Sequence, residues 1–159
     1  MKLPFRLLAI AVALAATVGM ISACNDDNNP AAPTTGTIAG TVAFQGTWPT
    51  TGQVQVSVFL SYPPMGPPDA YTDPITPGTS YDYRFDGLDP ATYAAVVVGW
   101  FDPTLPPGSE KILGIYWDNV DSVAVDNNGA PQVAPKAVTV TAGANKTGLN
   151  MAANLDVAP

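Results

Sequence analysis

Apolar and polar residues alternate along most of this chain from Thr37 onward. Ile38, Gly40, Val42 and Phe44 are interleaved with Ala39, Thr41 and Ala43; Val54, Val56, Val58 and Leu60 with Gln53, Gln55, Ser57 and Phe59; Tyr81, Tyr83 and Phe85 with Asp82, Arg84 and Asp86. The same period returns over residues 138–141 and 149–153. A period of two sends successive side chains to opposite faces of an extended strand, so each segment predicts a half-buried antiparallel strand. Residues 92–101 (TYAAVVVGWF) and 112–117 (ILGIYW) are apolar at consecutive positions, which predicts strands covered on both faces. Residues 122–125 predict one more short strand. The expectation is an all-β fold, an antiparallel β-sandwich of about seven to eight strands, occupying residues 37–155 with a short tail at 156–159.

Glycine and proline punctuate the gaps. Residues 63–78 hold six prolines, which cannot donate to a sheet ladder, so this stretch predicts a stiff exposed loop. Residues 102–109 (DPTLPPGS) and 126–135 (DNNGAPQVAP) predict two more loops. Aromatics divide accordingly. Trp100, Tyr116 and Trp117 lie in strands and are expected in the core, whereas Trp48, Tyr62 and Tyr71 adjoin turns or the proline-rich loop. These last three are the candidate ligand-binding residues, because exposed rings beside a long loop mark a binding surface.

The N-terminus has a different character. Lys2 and Arg6 precede an apolar run over residues 7–21, followed by Ser22, Ala23 and Cys24, the only cysteine. A basic start, a short apolar stretch and small residues before a cleavage point describe a secretory signal peptide. The run is shorter than the ~20 residues a membrane-spanning helix needs, and Asn25, Asp26, Asp27, Asn28 and Asn29 follow directly. Ending on cysteine, the segment resembles the lipobox of bacterial lipoproteins. That resemblance implies a signal peptide over residues 1–23, lipidation of the Cys24 thiol and a mature chain beginning there. Durable attachment needs more than one acyl chain, which the diacylglyceryl group of that family supplies. Residues 24–36 then read as a flexible tether. Asn25 after the lipidated position resembles the pattern that sends such proteins to the outer membrane.

Cleavage after residue 23 would leave 136 of the 159 residues, enough for one domain with a core of its own. Lys2 and Arg6 leave with the signal, so four basic residues face thirteen acidic ones and the net charge falls from −7 to −9. Such a chain lacks the clustered Lys and Arg that nucleic-acid phosphates require, and no nucleic-acid partner is expected. With Cys24 lipidated there is no thiol left to pair, and the chain has no histidine. The commonest general base and transition-metal ligand is therefore missing.

The order of strands and turns resembles the carboxypeptidase regulatory-like family of transthyretin-like β-sandwiches. Ile38-Ala39-Gly40-Thr41-Val42 matches its opening strand, residues 54–60 its valine strand, and Tyr83-Arg84-Phe85-Asp86-Gly87-Leu88-Asp89-Pro90-Ala91-Thr92-Tyr93 its aromatic strand and tight turn. Within that segment Gly87 is expected to permit the turn and Phe85, Leu88 and Tyr93 to close the core. Thr76-Pro77-Gly78-Thr79-Ser80 replaces the family's usual acidic turn, and residues 102–135 are longer than its usual module. The resemblance implies a structural or accessory domain and brings no catalytic residues.

Two acidic groups remain. Asp118, Asp121 and Asp126 are weak calcium candidates, since oxygen-rich clusters suit that ion; their spacing misses the calcium-loop pattern, polar turns are the simpler reading, and no cofactor is expected. Asp82 and Asp86 flank Arg84 on one strand face, where a paired-carboxylate hydrolase would need them to converge and where a solvated, locally paired face is the simpler reading. The functional expectation is a non-catalytic, lipid-anchored module of the bacterial cell envelope with a structural or accessory interaction role. A carbohydrate- or peptide-binding module using the loop aromatics is the alternative, and an aspartate-based hydrolase the third. The expected partners are the membrane, through Cys24, and an envelope protein or polysaccharide.

Overall fold

The computed structural model describes residues 31–159; Cys24, the signal segment and most of the tether lie outside them. Among the described residues ten strands form, in chain order: β1 (Gly36–Gln45), β2 (Gln53–Phe59), β3 (Ala70–Tyr71), β4 (Ser80–Leu88), β5 (Ala91–Tyr93), β6 (Ala95–Phe101), β7 (Lys111–Ile115), β8 (Val138–Val140), β9 (Asn145–Lys146) and β10 (Met151–Asn154). One sheet runs β10-β1-β4, with β9 also on β1; the second runs β3-β2-β6-β7; β5 and β8 make a short third. Ile38, Val42, Tyr83, Phe85 and Met151 of the first sheet share a buried core with Val54, Val56, Val58, Val96, Val98, Trp100 and Leu113 of the second. In β1, β2 and β4 these are the positions the alternation marks as inward, and the result is a β-sandwich.

Most pairings are antiparallel, as expected, but the last strands are not. β9 and β10 both run parallel to β1, with Val42 opposite Met151. Residues 92–101 are not one strand either. Ala94 separates β5, which pairs with β8, from β6, which sits between β2 and β7. Residues 122–125 make only isolated bridges, from Val123 to Ala152 and from Val125 to Pro131. Leu60 falls beyond the end of β2 and is exposed.

The loop expected over residues 63–78 is half sheet. The N–H groups of Asp69, Thr72 and Ile75 donate to the carbonyls of Val58, Val56 and Val54, so this stretch covers the outer edge of β2. None of the prolines stands at a donor position: Pro67 and Pro68 precede Asp69, Pro74 falls between Thr72 and Ile75, and Pro77 follows Ile75, so an edge segment tolerates them. Gly87, at φ 73°, sits at a register shift inside β4 instead of in the following turn. Phe85, Leu88 and Tyr93 are buried around it, and the Tyr93 hydroxyl donates to the Asp89 carbonyl at 3.0 Å. At the two ends, Gly143 N–H donates to the Thr35 carbonyl at 2.8 Å, and Val157 is buried in a single 3₁₀ turn, Leu155–Val157.

Candidate functional site

The outer face of the second sheet is divided in two. β6 is buried at Ala95, Val96, Val97 and Val98, on both faces, as its uninterrupted apolar run predicts. The outward cover comes from residues 117–133: Ala95, Val97, Ile115 and Ala124 form a second small core, onto which Phe59, Tyr62, Trp117 and Val133 pack. The other half of the face is open. It forms a groove of about 830 Å³. The registers Ser57↔Val97, Gln55↔Gly99 and Gln53↔Phe101 build its floor, and Tyr71, opposite Ser57 on β3, extends the first row to the sheet edge. Pro64, Pro67 and Pro68 from one loop and Pro107 from another form its walls.

The three candidate rings have different fates. Tyr71 is 64% exposed and lines the groove. Tyr62 is half-buried against the second core, where desolvation raises its phenol pKa. Trp48 packs on Phe44, with ring centroids 4.8 Å apart, and its indole N–H donates to the Gly78 carbonyl at 2.8 Å. Trp48 therefore fastens the end of the 63–78 segment to β1. Trp48→Phe keeps the ring and removes the donor, and is expected to lower stability by about 1 kcal/mol, read by urea denaturation, with no effect on ligand binding. Trp100 is in the core, as expected, with its N–H donated to the Thr51 carbonyl.

Phe59 and Phe101 were not among the ligand candidates, yet both line the groove. The signal was available: Phe59 shares the outward phase of Gln53, Gln55 and Ser57, and a large ring on a polar phase is out of place unless something covers or uses it. Met65, 85% exposed, sits between the lining residues Pro64 and Gly66, and Leu105 projects from the loop that carries Pro107.

The acidic candidates do not converge. Asp118 pairs with Lys136 at 2.7 Å, on the surface. Asp126 folds its carboxylate back on its own turn, accepting from the N–H groups of Asn128 at 2.8 Å and Ala130 at 2.9 Å and from the Gln132 amide at 3.3 Å. Asp121 is exposed, and no group of three acidic, histidine or cysteine side chains is placed to hold a metal among the described residues. Asp126→Ala is expected to cost about 1–2 kcal/mol through loss of the turn's acceptor. Wild-type melting curves in calcium and in chelator are expected to coincide; a calcium-dependent rise would overturn this assignment.

On the opposite sheet, Asp82 accepts from the Thr41 hydroxyl at 2.6 Å, while Asp86 accepts from Arg84 Nε at 2.8 Å and from the Thr37 hydroxyl at 2.8 Å. The Arg84 hydrogen bond, then that of Thr37, holds the Asp86 carboxyl below the usual carboxylate range. Each carboxylate thus has separate partners on an exposed face. The described residues adopt an all-β sandwich. No family model matches the chain, and neither a curated protein nor a solved structure matches it.

Proposed function

We propose that this chain is a lipid-anchored module of the bacterial cell envelope that holds a partner non-catalytically in the groove on its second sheet. The observation that carries this reading is the half-open outer face. One half of an apolar sheet surface is sealed by the chain itself, and the other is left as a walled groove edged by an exposed tyrosine. Soluble domains leave few such patches without a use. The lipobox-like segment ending at Cys24 supports the anchor, and the sandwich with its buried Phe85–Leu88–Tyr93 cluster is compatible with the carboxypeptidase regulatory-like resemblance and its accessory role. The separately partnered Asp82 and Asp86, on a chain without histidine, favour binding over catalysis.

The test is co-sedimentation of the detergent-solubilised full chain with envelope fragments of the producing bacterium. Binding is expected for wild type and to weaken roughly tenfold in Tyr71→Ala, the effect of removing one central aromatic contact. Equal binding by both would overturn the groove as the site.

A further inference from the structure

We infer that the groove's ligand is an uncharged polysaccharide; this rests on the binding role proposed above and deepens it. The first ground is charge. Among the lining residues only Glu110 and Lys111 are charged, with opposite signs, so the groove is neutral on a chain of net charge −7. Glu110 is also turned to its own loop, accepting from the Gly108 N–H at 2.6 Å. An anionic polymer would meet repulsion from the whole domain and find no cluster of cations to offset it.

The second ground is the kind of hydrogen bond on offer. The floor is a sheet face, and the backbone groups of β2 and β6 are already paired with their neighbouring strands. An extended peptide laid there would leave its own N–H and C=O groups without main-chain partners, which is costly once water is displaced. A sugar chain carries hydroxyl edges and apolar C–H faces. The floor answers both: Gln53, Gln55 and Ser57 stand in one outward row and Phe101 and Tyr71 supply rings. Gln55 already donates one N–H to the Thr72 carbonyl at 2.8 Å, which fixes its amide and leaves the oxygen and second hydrogen for a ligand.

The third ground is shape. Opposite Gln55, Gly99 leaves a notch between Val97 and Phe101; a Cβ there would meet only the Lys111 carbonyl, at 3.7 Å. The three rows span roughly 13 Å along the strands, the length of four strand residues.

Native affinity electrophoresis of the full chain in detergent tests this. The gels contain hydroxyethylcellulose, galactomannan or dextran as neutral polymers and alginate as the anionic one. Retardation by at least one neutral polymer, with none by alginate, is expected. Tyr71→Ala removes an exposed ring, and Gly99→Val fills the notch with a residue that strands favour; each should weaken retardation roughly tenfold while melting like wild type. No retardation by any neutral polymer, equal retardation by alginate, or retention by both variants would overturn the inference. If no neutral polymer binds but envelope co-sedimentation remains dependent on Tyr71, the glycan inference falls and the binding role stands. If Tyr71-dependent co-sedimentation is also lost, both fall.

Discussion

Gly40→Val is expected to unfold this domain or leave it barely stable. Gly40 lies in β1 beneath the Leu149 segment, and a Cβ on it would overlap the Leu149 carbonyl and lie within 2.9 Å of the Tyr83 hydroxyl. That hydroxyl donates to the same Leu149 carbonyl at 2.6 Å, in the core, and Leu149 N–H donates to the Ala39 carbonyl at 3.2 Å. Backbone cannot yield as a flexible side-chain tip can. The substitution therefore adds overpacking to the loss of a buried hydrogen bond, about 4 kcal/mol together. For a domain of this size that corresponds to a fall in Tm of roughly 15 °C. Gly78→Ala is the control: a Cβ there meets only ordinary contacts, the nearest being the Ser80 carbonyl at 3.6 Å, and its Tm is expected near that of wild type. A Gly40→Val protein melting within a few degrees of wild type would refute the close-approach argument.

Cys24→Ala carries the other large expected effect, on attachment. In cells fed an alkyne-tagged fatty acid, the wild-type chain is expected to take the label and to enter the detergent phase on phase separation. The variant should take no label, because its methyl group offers no thiol for acylation. Mass spectrometry of the mature wild-type protein should find a chain starting at residue 24, with 136 residues and the added mass of the lipid. Label on the variant, or an unmodified wild-type chain, would end the lipoprotein reading and leave the groove argument untouched.

The sheet faces were legible because alternation is local. Val54, Val56 and Val58 point inward simply because Gln53, Gln55 and Ser57 point outward, and β4 follows the same logic. What joins to what was not. Nothing near Met151 announces that its strand runs parallel to β1, since ladder direction is decided by how the two sheets close. The edge pairing of residues 69–75 was masked by the prolines that flank it and by Pro74, none of which stands at a donor position. The candidate site was half visible. Trp48, Tyr62 and Tyr71 look alike as rings beside turns, and only the positions of the Gly78 carbonyl and the second core distinguish fastener, filler and free surface. Phe59 was readable from phase, but not the fact that it borders the second core on one side and the groove on the other, with Phe101 in the groove beyond.

The parallel pairing of the first and last strands governs when this protein can fold. Val42 waits for Met151, and Thr37 for Asn145, across more than a hundred intervening residues. Contacts that distant in sequence close late and slowly. A nascent chain emerging N-terminus first holds β1 and β4 early, but lacks the strand that covers the other edge of β1 until nearly the last residues appear. The first sheet therefore cannot be completed before residues 145–154 are available.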